Sequence, residues 1–210
     1  MDVIRVEGAT KTYREHVVLN DVNLSFAAGQ IHGIVGRNGS GKTILFKAIC
    51  GFVPLSAGRI VVRGKQVGKD IDTPTDVGII IEAPGFLPNY SAYHNLRFLA
   101  KIRNKIGRDE IRQAIDAVGL DPTSRKHVGK YSLGMRQRLG IAQAIMEDPS
   151  LLLLDEPFNG LDISGVDEMR KLLLGLRRQG KTILLASHSP EDIGLLCDTV
   201  HRMDNGRIIE

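Results

Sequence analysis

Gly36-Arg37-Asn38-Gly39-Ser40-Gly41-Lys42-Thr43 is the stretch on which the fold turns. It fits the pattern of a glycine, any four residues, then Gly-Lys-Thr, between a compact apolar run at Gln30 to Val35 and a predicted helix from Lys42 to Cys50 stopped by Gly51. Glycines let backbone N–H groups turn inward toward phosphate oxygens, and a helix starting behind them adds the positive end of its dipole. Lys42 places a point charge on the β and γ phosphates, and the Thr43 hydroxyl is a magnesium ligand. The expectation is an α/β fold that cradles a triphosphate between a strand and a helix.

A carboxylate pair completes that expectation. Leu151-Leu152-Leu153-Leu154 reads as a buried strand, and Asp155 and Glu156 follow at its end, where an open α/β sheet presents its ligands. Asp155 suits magnesium, usually through water; Glu156 places a second carboxylate where it can take a proton from attacking water.

Working outward, Val3 to Glu7, Val22 to Phe26 and Arg59 to Val67 are β-branched runs that predict an antiparallel layer beside a mainly parallel sheet. Val77 to Ile81 is a buried strand ending at Glu82. From there to about Asp148 only helices are expected: one capped by Ser91 and reaching Ile106, one from Asp109 to Val118, and one capped by Ser132 and running through Met146. Ser164 to Gln179 is an amphipathic helix and Thr182 to Ala186 a further strand. Asp204-Asn205-Gly206 marks a hairpin within Val200 to Glu210. The expected organisation is one domain, 1–210, with residues 1–82 and 151–210 as the ATP-binding core and 83–150 as an inserted helical lobe.

Composition narrows the class. With 210 residues, 42% hydrophobic and 25% charged, the chain can bury a core, and two separate enzymes do not fit. Lys plus Arg number 28 against 24 Asp plus Glu, a mild excess that argues against a dedicated nucleic-acid binder. Two cysteines, Cys50 and Cys197, support neither a disulfide framework nor a structural zinc site. No run approaches the ~18 apolar residues that cross a bilayer. A cytoplasmic protein, attached peripherally to the inner face of a membrane if it works there, is expected.

Tyr131-Ser132-Leu133-Gly134-Met135-Arg136-Gln137-Arg138, placed between the glycine loop and Asp155, resembles the signature motif of ATP-binding cassette (ABC) proteins, and the resemblance covers essentially the whole chain. Ser132 and Gly134 keep the motif's pattern, whereas Leu133 stands for its first glycine and Met135 for its glutamine. The resemblance implies a P-loop NTPase of ABC type that binds ATP and Mg2+ through Gly36, Arg37, Asn38, Gly39, Ser40, Gly41, Lys42 and Thr43. It implies Tyr13 as the adenine-stacking aromatic, Asp162 in the loop that crosses to a partner, Glu156 as the catalytic carboxylate, and His188 as the switch histidine that touches the γ-phosphate and orients catalysis. Metal ligands would be Thr43, Asp155 and Glu82.

Glu82 occupies a position where the family typically has glutamine; an ionised carboxylate accepts hydrogen bonds but donates none. Ile81 to Asn89 is similar to the subgroup that exports peptide antibiotics, including lantibiotic and bacitracin immunity transporters. The family resemblance implies a head-to-tail pair of nucleotide-binding domains, identical or not, with ATP clamped between the loop of one and Ser132 and Gly134 of the other. It further implies a separate transmembrane permease that could dock along Glu82 to Leu96. A soluble ABC-type ATPase acting in assembly, such as iron-sulfur cluster biogenesis, is the alternative. A P-loop kinase gives no reason for Ser132, Gly134 and His188.

Overall fold

Burial alternates along some strands and is continuous along others, and that difference separates two sheets. The computed structural model describes residues 2–82 and 84–209. Met1, Ala83 and Glu210, which the expected boundaries include, lie outside the described residues. The chain begins with β1 (Asp2–Tyr13), β2 (His16–Ala27), β3 (Ile31–Val35), α1 (Lys42–Ile49), β4 (Ala57–Val62), β5 (Lys65–Gln66) and β6 (Val77–Ile80). Helices α2 (Ala92–Arg103), α3 (Arg108–Ala117) and α4 (Leu133–Ile145) follow. The last stretch holds β7 (Leu151–Asp155), α5 (Ile163–Arg178), β8 (Thr182–Ser187), α6 (Pro190–Leu196), β9 (Thr199–Asp204) and β10 (Arg207–Ile208).

The central sheet has the order β10-β9-β3-β8-β7-β6, parallel except for β10, and β7 and β8 are buried at every residue. Strands covered on both faces read as continuous apolar runs, which is why Leu151 to Leu154 carries no alternation. Successive side chains still go to opposite faces. Leu152, Leu154, Ile183 and Leu185 join Leu96, Ile115 and Leu139 of the helices, while Leu151, Leu153, Leu184 and Ala186 join Leu45, Phe46 and Ile49 of α1 and the antiparallel layer. The lobe therefore shares its core with one face of the sheet.

The antiparallel layer, order β2-β1-β4-β5, forms as expected but with different bounds. β1 and β2 run 12 residues each, far beyond Val3 to Glu7 and Val22 to Phe26, because register shifts interrupt the alternation that would have revealed their length. Arg59 to Val67 is a hairpin, with Arg63 and Gly64 both at positive φ in the turn. The first lobe helix, α2, ends at Arg103, where Asn104 adopts φ 51°, and the second, α3, starts at Arg108. Helix α6 was not anticipated, although Ser189-Pro190 is a capping sequence: the Ser189 hydroxyl accepts from the Asp192 N–H.

Candidate nucleotide site

The loop after β3 holds its shape through its glycines. A Cβ on Gly36 would lie 2.3 Å from the Met203 carbonyl oxygen, and Gly41 enters α1 at φ 110° with the Val18 carbonyl 2.8 Å from where its Cβ would be. Neither position admits a side chain. No side chain caps α1, so its first N–H groups face the cleft without a side-chain acceptor. Lys42 is buried and its ammonium donates to the carbonyls of Gly36 at 2.7 Å and Arg37 at 3.3 Å. The loop's own backbone thus holds the lysine over the nest.

Parallel strand ends bring the acids to the same place. The Thr43 hydroxyl donates to Asp155 Oδ2 at 2.6 Å. Burial pushes the Asp155 carboxyl above its ordinary pKa; the charges of Glu156 and Glu82 push the same way, while the Thr43 bond and Lys42 oppose them. Glu156 leaves the strand at φ 49°, a left-handed conformation unusual for a side-chain-bearing residue. Its N–H donates to Ala186 O at 2.9 Å, and its own carbonyl accepts from Gln137 Nε2 at 3.2 Å. One carboxylate oxygen, Oε2, meets His188 Nδ1 at 2.9 Å; the other, Oε1, is buried without a partner among the described residues. A buried acceptor with no donor is a costly arrangement unless something donates to it.

The cleft encloses about 470 Å³. Asn38, Gly39, Ser40, Gly41, Lys42, Thr43, Glu82, Asp155 and Glu156, all expected from the sequence, line it. Gly36, Arg37 and His188 instead line a neighbouring cavity of about 830 Å³ against α6 and β9. Tyr13 stands exposed at the tip of the β1–β2 hairpin, with the Lys11 ammonium 4.7 Å from its ring centre. Asp162 caps α5, its Oδ1 accepting from the Gly165 N–H at 3.0 Å. Ser132 is the N-cap of α4 and accepts from the Met135 N–H at 3.1 Å. A Cβ on Gly134 would lie 2.8 Å from Gly160 O, and one on Gly160 would lie 2.5 Å from the Leu133 side chain. The signature segment therefore rests on its own chain's Gly160 loop, and Ser132, Gly134, Tyr13 and Asp162 are not among the residues lining the cleft.

Among the polar residues that line or support the cleft, Gln137, Asn159 and Lys47 were missed. Gln137 is a buried polar residue inside α4, and Lys47 donates to Glu82 Oε1 at 2.7 Å. The oxygen donors fit a hard cation: Thr43, Asp155 and Glu82 supply hydroxyl and carboxylate groups, the ligand type of magnesium, which keeps waters and phosphate oxygens for the remaining positions. Among the described residues no group of three or more acidic, histidine or cysteine side chains is placed to hold a metal ion by itself.

The ABC transporter family profile matches residues 19–159. A Bacillus subtilis (strain 168) ABC transporter ATP-binding protein, YybJ, is 43% identical over 206 residues, covering 98% of this chain and 94% of its own. The chain belongs to the ABC transporter family. It is an ABC ATPase, the ATP-binding component of such a system. Other relatives include the bacitracin transport ATP-binding protein BcrA of Enterococcus faecalis, 42% identical with 99% of this chain and 68% of that protein covered. The lantibiotic transport ATP-binding protein SrtF of Streptococcus pyogenes is 33% identical, with 99% and 89% covered. The fold agrees with solved ABC ATPases. CbiO1 from Clostridium perfringens matches with TM-score 0.85 at 30% identity over 100% of this chain and 87% of that one. A dimeric post-hydrolysis cassette, MJ0796, matches with TM-score 0.89 at 20% identity over 99% and 97%. The assembly-factor alternative gains nothing from these relatives.

Proposed function

We propose that this ABC ATPase energises export of a peptide antibiotic through a separate permease, working as a head-to-tail pair with ATP and magnesium between the two copies. The observation that carries the catalytic part is Glu156. Its Oε2 is held by His188, its Oε1 is buried and unpartnered among the described residues, and the residue lines the cleft that also holds Lys42 and Thr43. Such a group takes a proton from water attacking the γ-phosphate. Lys42 and the open N-terminus of α1 bind the β and γ phosphates, and His188 orients the carboxylate and reaches the γ-phosphate. Magnesium, when bound through Thr43, Asp155 and Glu82, neutralises charge on the transferring phosphoryl group. Tyr13 stacks on adenine. Ser132 and Gly134 of the partner subunit close the site, and Asp162 contacts that subunit across the interface.

The peptide-antibiotic substrate rests on the names of the bacitracin and lantibiotic transport relatives and on the Glu82-containing stretch. No described helix is long and apolar enough to cross a membrane. The separate permease and the place at the inner membrane face belong to the proposed reading as a transporter subunit, which the names of the transport relatives support. In the segment proposed to receive it, Phe86 and Tyr93 pack into the core, Pro84 packs on Gly140 and Pro88 on Gly129, which leaves Leu87 and Tyr90, with Phe98 beyond them, exposed for docking. Size-exclusion chromatography of Glu156→Gln with Mg-ATP tests the pair: a dimer that Ser132→Arg abolishes is expected, and a monomer under all conditions overturns the reading.

A further inference from the structure

Glu82 leaves β6 with φ 61°, at the junction between the central sheet and the lobe. Its carboxylate lies between Lys47 and the cleft. On one side Oε1 accepts from Lys47 Nζ at 2.7 Å; on the other, Glu82 lines the cleft with Thr43, Asp155 and Glu156. Lys47 is in the last turn of α1, so one helix carries Lys42 and Thr43 at its start and Lys47 at its end. Among the described residues Glu82 is the only carboxylate within ion-pair distance of Lys47. Glu82 also contributes to the field that raises the Asp155 carboxyl, so its charge is felt where a cation would sit.

Three carboxylates around one cleft repel each other until a cation arrives. We propose that Lys47 is a positioning residue: it holds the Glu82 carboxylate aside when the cleft lacks its divalent cation, and yields it to that cation when the metal–nucleotide binds. Lys47 then competes with the metal for one ligand, and sets the divalent-cation affinity of the site. A glutamine at 82 would accept a hydrogen bond from Lys47 but carry no charge for it to hold, so this competition belongs to chains with a glutamate there. The inference rests on the cleft being the metal–nucleotide site.

The test is a titration of Mn2+ in the presence of a non-hydrolysable ATP analogue, read by the electron paramagnetic resonance signal of free Mn2+. Exposed ion pairs are weak, so Lys47→Met is expected to tighten Mn2+ binding by about two- to fivefold. Lys47→Arg, which keeps the pair, should match the wild type. In a Glu82→Gln background, Lys47→Met should leave Mn2+ affinity unchanged. No tightening in the single variant overturns the proposal. Equal tightening in both backgrounds also overturns it, because Lys47 would then act only as a nearby positive charge. Thr43→Val separates the two levels: if it leaves Mn2+ affinity unaltered, the cation is not held in this cleft, and the site assignment fails along with the role of Lys47.

Discussion

Helices α1 and α4 are the two whose N-termini are assigned to phosphate, and they begin in opposite ways. α4 closes its own end: the Ser132 hydroxyl accepts from the Met135 N–H, as Ser91, Asp162 and Ser189 do for α2, α5 and α6. α1 has no side-chain cap, follows a glycine at φ 110°, and carries a buried lysine folded back on the loop carbonyls. A helix whose own chain caps it is stable without ligand; one left open next to a lysine gains stability when an anion arrives. The contrast suggests a division of labour in which α1 recruits nucleotide and α4 is ready-made to meet it from another copy.

The largest effect that would sharpen this contrast is in turnover. Glu156→Gln should slow phosphate release by about 10²- to 10⁴-fold while ATP still binds, since only the proton acceptor is lost; turnover close to wild type would remove Glu156 from its role. Next comes ligand-linked stability. At 100 times its dissociation constant, Mg-ATP should stabilise the wild type by about 2.7 kcal/mol, and Lys42→Met should lose most of that shift in thermal melting. An unchanged shift would break the assignment of α1 as the recruiting helix.

The capping contrast predicts a smaller pair of effects without nucleotide. Ser132→Ala should cost about 1 kcal/mol in denaturant unfolding. Ser40→Ala should cost nothing or stabilise, because the Ser40 hydroxyl is buried without a partner among the described residues. Equal losses in the two variants would erase the difference between the helix starts.

Asp155 supplies a pH signature of definite sign. Its folded-state pKa is raised from 3.8, so ionisation is harder in the fold than in the unfolded chain, and the nucleotide-free protein loses stability as pH rises through the window above 3.8. Asp155→Asn should therefore melt higher than wild type at neutral pH, and the gain should vanish as pH falls toward that value. A gain that persists at low pH would assign it to something other than the buried charge.

Much of the site was legible because its chemistry is local. The glycine loop, Lys42 and Thr43 are contiguous, and Asp155 and Glu156 follow directly on an apolar run. Tyr13, Ser132, Gly134 and Asp162 came from the family pattern; in the single chain Tyr13 sits at a hairpin tip, Ser132 and Asp162 cap helices and Gly134 lies in the first turn of α4, all outside the cleft. Gln137 gave no local signal, since its partner is the Glu156 carbonyl across the junction of lobe and sheet. The long β1 and β2 strands were hidden because bulges break the alternation that reports them.

The amino-acid order alone dictated which segments could become buried parallel strands and which loop could wrap a phosphate, because side-chain periodicity and glycine's backbone freedom act over a few residues. Only the assembled sheet decided that β3, β7 and β8 end together, so that Thr43 meets Asp155 and His188 meets Glu156, and that the end of α1 approaches the root of the lobe so that Lys47 meets Glu82. Those contacts join residues far apart in the chain, and their distances are set by strand pairing and core packing, which no short stretch of sequence contains.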